Sequence, residues 1–248
     1  MMDTILKHRT IRKYKKDSIP DSDLEKMLEA GIRASTTGNM QLYSIVVTRD
    51  DEMKEKLAPA HFNQPMVTEA PVVLTFCADF NRFNKWCEAR DAKPGYDNFL
   101  SFYTASVDAI LVAQNVTLAA EDMGYGICYL GTTNYTAQQI IDTLNLPKGV
   151  VPVTTITVGV PDESPELVDR LPLDGVIHFE EYQDYSSEDI DRIYEEKEEL
   201  ESSKELLEIN QKETLAQVFT DNRYTKENNV AFSKALLEVL EKQGFMNQ

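Results

Sequence analysis

Three features of the sequence predict a mixed fold, an α+β or α/β sandwich. Short β-branched apolar runs alternate with longer stretches of helical periodicity, the pattern of a sheet covered by helices. The 248 residues are 42% hydrophobic, enough to bury one substantial core and to exclude disorder for most of the chain. No internal repeat or low-complexity linker divides the sequence, which reads as one domain: a core over residues 1–180 and a helical C-terminal extension over residues 181–248.

Pro20-Asp21-Ser22 introduces a helix with Leu24, Met27, Leu28 and Ile32 at helical intervals, and Ser22 and Glu25 have the spacing of a capping box. A polar loop runs to Gln41. Ser44 to Thr48 and Val72 to Ala78 are β-branched runs that read as buried strands, the second introduced by Pro71. Phe102 to Met123 has apolar residues on most faces and stops at Gly124, so it reads as the central core helix. The glycine-punctuated segment GYGICYLGTTN comes next, then a helix with Ile140, Ile141 and Leu144 that Thr136 and Gln139 can cap. Val150 to Pro161 is a third strand, and Leu236 to Phe245 is a further helical pattern.

Composition narrows the function. The chain has 42 acidic and 25 basic side chains, a net charge of −17, which opposes binding along a nucleic-acid backbone. No apolar run approaches the roughly 20 residues that span a bilayer, and the first residues carry charges where a signal peptide needs an apolar stretch. Cys77, Cys87 and Cys128 form no CxxC pair, and His8, His61 and His178 form no metal-binding pair. The expectation is a cytoplasmic protein with reduced thiols, no resident metal, and neither nucleic acid nor membrane as partner.

The charge is unevenly spread. Residues 1–179 hold 24 acids and 17 bases, residues 180–208 hold 13 and 3, and residues 209–248 hold 5 and 5. The acidic stretch has Ile190, Ile193, Tyr194 and Leu200 among its charges and reads as a solvated helical face, or else as a tail for a basic partner. Against this background the first 16 residues contain Lys7, His8, Arg9, Arg12, Lys13, Lys15 and Lys16 with one acid, Asp3. His8-Arg9-Thr10-Ile11-Arg12 offers two guanidinium forks, a hydroxyl and an imidazole, groups suited to one phosphate. A solvated basic patch accounts for the same composition.

Other segments add weaker signals. Ser35 to Gln41 gathers hydroxyls and amides in a loop between a helix and a strand, a common place for binding groups. The glycines of GYGICYLGT allow backbone N–H groups to approach a flat ligand, although ordinary turns explain them equally well. Arg170 can pair with its acidic neighbours or reach the N-terminal phosphate site.

In order, HRTIRKY, ASTTGNMQLYSIVV, PVVLTFCADFNR, AQNVTLAAEDMGYGICYLG and VGVPDESPELVDRLPLDGVIH resemble the nitroreductase superfamily, within it the NADPH-dependent flavin oxidoreductases and oxygen-insensitive nitroreductases. The resemblance implies an α+β sandwich with a central, mainly antiparallel sheet, and a homodimer holding FMN noncovalently at the subunit interface. By position it implies that His8, Arg9, Thr10 and Arg12 hold the phosphate and ribityl chain, with Arg170 on the same phosphate. Asn39 and Gln41 match the loop approaching the flavin, and Gln64 an amide at its polar edge. Tyr129, Leu130 and Gly131 match the segment against the ring system. Val168 stands where a lysine is common, and Arg223 matches an arginine used for the NADPH 2′-phosphate.

The activity implied by the resemblance is that of an NAD(P)H-dependent FMN oxidoreductase with ping-pong kinetics, passing electrons to small planar acceptors such as nitroaromatics, quinones or flavins. No side chain is expected to act as a catalytic proton carrier. The alternatives are a flavin reductase whose acceptor is free FMN, and a flavin-binding protein without turnover.

Overall fold

The structure, a computed structural model, describes residues 1–247. Four strands, β1 (Tyr43–Thr48), β2 (Val72–Asp79), β3 (Gly126–Leu130) and β4 (Val150–Gly159), form one antiparallel sheet in the order β1-β2-β4-β3. β2 and β4 are central, and every residue of β2 is buried, which is why its sequence is a continuous apolar run without alternation. The fold is the expected α+β class.

Helices α1 (Met2–Leu6), α2 (Asp21–Gly31), α3 (Asp51–Leu57), α4 (Pro65–Glu69), α5 (Asn81–Glu88), α6 (Phe99–Asp122) and α7 (Ala137–Leu144) accompany the sheet. α6 is the core helix. Its Ala105, Ala109, Val112, Ala113, Val116 and Ala120 are fully buried in one cluster with Leu74, Phe76, Ile156 and Val158 of the sheet. Gly31 lets α2 cross α6 closely, because a Cβ there would overlap Cγ2 of Val116. Asn98 caps α6 by accepting the Ser101 N–H at 3.0 Å, and Gly124, at φ +87°, lies just past its end.

With 24 residues and a window of mean hydropathy 1.2, α6 is long and apolar enough to cross a membrane by length and composition, which corrects the expectation of no such run. Within this fold one face of α6 packs on the sheet. The opposite face leaves Leu100, Tyr103, Val107, Ile110 and Leu111 exposed at helical spacing.

Three expectations about local structure are corrected. α2 starts at Asp21 behind an extended Pro20, so Ser22 lies inside the first turn and no side-chain cap forms; Asp21 and Asp23 favour that end electrostatically instead. Thr136 precedes α7, but its hydroxyl donates to the Ala60 carbonyl at 2.5 Å and does not cap the helix. The segment read only as glycine-punctuated contains β3.

The chain forms two compact units, Met1–Glu166 with the chain from Phe232, and Leu167–Ala231. The second contains α8 (Ser187–Glu199), α9 (Glu201–Asn210) and α10 (Leu215–Gln217), which runs into π-helical turns over Val218–Arg223. Capping boxes of Ser186 with Asp189 and of Thr214 with Gln217 start α8 and α10. Ile193, Leu215 and Val218 are buried while most of the acids are exposed, which is the solvated helical face expected of the acidic stretch. α11 (Lys226–Gln243) begins in the second unit and ends in the first. Cys77, Cys87 and Cys128 are free and buried, and burial pushes the Cys77 thiol up to about 12.

Candidate functional site

The N-terminal basic segment is clamped in extended form along β3. Thr10 bridges Ile127, and the Ile11 N–H donates to the Ile127 carbonyl at 2.8 Å. Two glycines make the fit possible: a Cβ on Gly126 would lie 2.7 Å from Ile11 side-chain carbons, and one on Gly159 2.7 Å from the Tyr14 ring. The buried Tyr14 hydroxyl donates to the Ile11 carbonyl at 2.7 Å and lies 2.7 Å from the Thr157 hydroxyl, and its burial raises its pKa.

Extended backbone sends alternate side chains to opposite sides. Arg9 lines one cleft with Lys7, Ile11 and Tyr125, and Arg12 lines another with Lys13, Lys15, Arg49 and Lys54. Arg9 is turned onto its own chain, with Nε donating to the Pro165 carbonyl at 2.8 Å and a terminal nitrogen to the Lys7 carbonyl at 3.1 Å. The half-buried His8 places Nδ1 2.6 Å from Oε1 of Glu121 on the last turn of α6. Glu163 accepts the backbone N–H groups of Arg12, at 2.5 Å, and Lys13, at 3.1 Å, and so holds a cationic stretch in register. The Arg12 guanidinium is exposed and, among the described residues, forms no ion pair. The two guanidinium forks are therefore not brought onto one point.

The Ser35–Gln41 loop is built around a buried carboxylate that is not among the residues singled out from the sequence. Asp108 of α6, 1% exposed, accepts the Thr37 N–H at 2.9 Å and the Leu42 N–H at 3.2 Å. Arg82 donates to the carbonyls of Gln41 and Tyr43 from the other side. Between these anchors Gly38, Asn39 and Gln41 adopt φ of +55°, +56° and +56°, and the exposed Gln41 amide donates to Asn39 at 3.4 Å. An acid inside an otherwise apolar core helix was the available signal for Asp108.

Gln64 ends a second strained turn. Phe62 and Asn63 are both left-handed, at φ +56° and +53°, and Gln64 precedes Pro65 at the start of α4. Beneath them His61 is fully buried, its Nδ1 2.9 Å from the Thr132 hydroxyl and its Nε2 without a partner. Burial lowers its pKa to about 4, so the ring is neutral. The His61–Thr132 and Thr136–Ala60 contacts tie this turn to the loop leaving β3.

In that strand Tyr129 turns toward α6, accepting from Thr117 at 3.1 Å and donating to Gln114 at 3.3 Å, with its pKa raised by burial. Leu130 is buried in a second apolar cluster with Ile11 and Val67. Gly131 is exposed, and a Cβ there would meet nothing within 4 Å. Of the three residues, Gly131 is the one that leaves open space.

Arg170 and Arg223 lie in the second unit. Arg170 is exposed and donates to the carbonyls of Val168 at 3.2 Å and Asp169 at 2.8 Å. Asp169 itself pairs with Lys197 at 2.7 Å, which brings a cation from α8 beside Arg170 that sequence spacing does not place there. Arg223 ends the π-helical turns with an exposed side chain.

Residues 5–160 match the sequence profile described as the Nitroreductase family. An NADPH-dependent oxidoreductase of Staphylococcus saprophyticus is 35% identical over 179 residues, 71% of each chain. Among solved structures, a putative oxidoreductase from Bacteroides fragilis superposes with a TM-score of 0.98 at 60% identity, over 99% of this chain and 100% of that one. The NADPH:FMN oxidoreductase of Vibrio harveyi, complexed with NAD+, superposes with a TM-score of 0.80 at 29% identity, over 100% and 99%.

Proposed function

The chain belongs to the nitroreductase family, and from that premise we propose that this NAD(P)H-dependent oxidoreductase holds FMN noncovalently and reduces small planar acceptors. Carrying this reading is an unpaired Arg12 on a segment clamped to β3, combined with open space at Gly131 where the same strand ends. A flat anionic cofactor fits that combination: a fixed cation for the phosphate, and a backbone edge free of side-chain bulk for the rings. The V. harveyi relative, by its name, acts on FMN, so a fold of this kind accommodates the flavin proposed here.

FMN bound here would supply the hydride and electron-transfer chemistry of a ping-pong sequence between NAD(P)H and a second substrate. The chain's own residues bind and orient. Arg12 and the Thr10 hydroxyl would take the phosphate and ribityl oxygens, while His8 is held in place by Glu121 and Arg9 keeps the segment's path by bonding Pro165. Backbone N–H groups near Gly131 would favour negative charge on a flavin ring held there. Gln64, Asn39 and Gln41 offer amides on turns whose geometry is imposed from beneath by His61 and Asp108. By the family resemblance, Arg170 would supply a cation for the FMN phosphate and Arg223 one for the NADPH 2′-phosphate.

The exposed apolar stripe of α6, Leu100 to Leu111, supports a homodimer in which two copies cover it. The protein is placed in the cytoplasm on this reading. The V. harveyi relative's name also favours a second acceptor assignment, free FMN in place of a nitro compound or quinone. Initial rates with NADPH and each acceptor varied together test both. Parallel double-reciprocal lines are expected, and intersecting lines overturn the ping-pong sequence. A kcat/KM for free FMN above that for every nitroaromatic and quinone selects the flavin-reductase assignment.

A further inference from the structure

The turn before Gln64 carries a feature that cofactor binding does not use. Phe62 is an aromatic residue at φ +56°, a conformation that is a genuine outlier for a bulky side chain, and Asn63 repeats it. Its ring is nevertheless 52% exposed, so burial of the ring in this chain does not account for the strained backbone. Strain of this kind persists where surrounding structure over-determines it, and it clusters at ligand-binding positions.

The residues leading into the turn are anchored. His61, next in sequence, is locked to Thr132, and Ala60 is locked to Thr136. The Phe62 ring lies with its centroid 6.4 Å from that of Phe232 on α11. Phe232 in turn stacks on Tyr135 at 4.3 Å and 10° between planes. Three segments far apart in sequence thus build one aromatic wall, ending at a half-exposed ring two residues from Gln64 and on the loop pair that carries Gly131. Offset stacking on the exposed ring is a favoured geometry for a planar aromatic guest.

We propose that Phe62 is a specificity-determining residue, the outer ring of a platform that selects planar aromatic or quinonoid acceptors over non-aromatic ones. The inference rests on the oxidoreductase reading above and adds to it a named contact for the second substrate.

Phe62→Asn tests it, because asparagine tolerates the left-handed conformation and removes the ring without demanding a new backbone. The FMN-loaded variant and wild type are assayed with NADPH and three acceptors: a nitroaromatic, a benzoquinone and ferricyanide, which has no ring to stack. The expected result is a fall of roughly 3- to 10-fold in kcat/KM for the two planar acceptors, the range for one lost ring contact. Ferricyanide reduction and bound FMN stay at wild-type values, the thermal midpoint does not fall because asparagine relieves the left-handed strain, and Phe62→Tyr restores the planar acceptors. A uniform change across all three acceptors, no change in any, or loss of the dimer in Phe62→Asn overturns the proposal. Wild-type protein that NADPH and NADH both fail to reduce overturns the underlying reading instead, so the two failures are distinguishable.

Discussion

His61 makes stability depend on pH in a direction that can be worked out in advance. Its ring is fully buried, with one nitrogen beside Thr132 and the other unpartnered, so protonation would place an uncompensated N–H donor and a charge in the interior. The folded pKa is lowered to about 4, against about 6.5 in the unfolded chain. The unfolded state therefore binds the proton first as pH falls. The stability is fully present above the unfolded pKa and is lost as pH drops from there through the folded value. For these two values the loss is about 2 kcal/mol at pH 5 and about 3 kcal/mol near pH 4. At this chain length the loss at pH 5 lowers the thermal midpoint by about 4–8 °C. Urea unfolding of wild type and His61→Gln across pH 7.5, 6 and 5 isolates the effect, since surface carboxylates titrate alike in both. Wild type should lose about 2 kcal/mol more than the variant between the first and last condition. Parallel pH profiles would show that the buried imidazole is not the titrating group.

The phosphate site gives a second expectation: Arg12→Ala should weaken FMN binding by roughly 10- to 100-fold, from about 1.5–3 kcal/mol for a charge-assisted contact. Unchanged FMN affinity, measured by fluorescence of released flavin, removes Arg12 as the anchor. For cofactor choice, Arg223→Ala should raise KM for NADPH more than for NADH; equal effects on the two leave no role for it at a 2′-phosphate. On the exposed stripe of α6, Ile110→Glu should convert dimer to monomer in sedimentation at an otherwise native fold, and an unchanged dimer places the interface elsewhere.

Much of the fold could be read from local pattern. The β-branched runs became β1, β2 and β4, and the alanine-rich run became α6; β2 is buried throughout, and α6 adds an exposed apolar stripe to its buried face, so both leave a nearly continuous apolar signature. β3 was missed: it spans five residues among turn-forming glycines, and one of those, Gly126, is there for Ile11, more than a hundred residues away. The caps at Ser22 and Thr136 failed for a related reason. Thr136 has the right spacing, but its hydroxyl found a carbonyl in a distant turn.

The candidate site divides in the same way. The cationic run and the polar loop stand out by composition, whereas the divergence of Arg9 and Arg12 into separate clefts depends on the segment being extended along β3. Asp108 shows in the sequence only as an acid inside the core helix, and His61 and the Phe62–Phe232–Tyr135 wall were not legible, because each gains its meaning from a partner brought close only by the tertiary fold.

The central claim is that this chain passes electrons from a nicotinamide through a bound flavin. Anaerobic addition of NADPH to the purified flavin-loaded protein, monitored in the visible flavin band, tests it most directly. Bleaching is expected with about one NADPH per flavin, followed by recovery of the band when a quinone is added. A flavin band that neither NADPH nor NADH bleaches would contradict it.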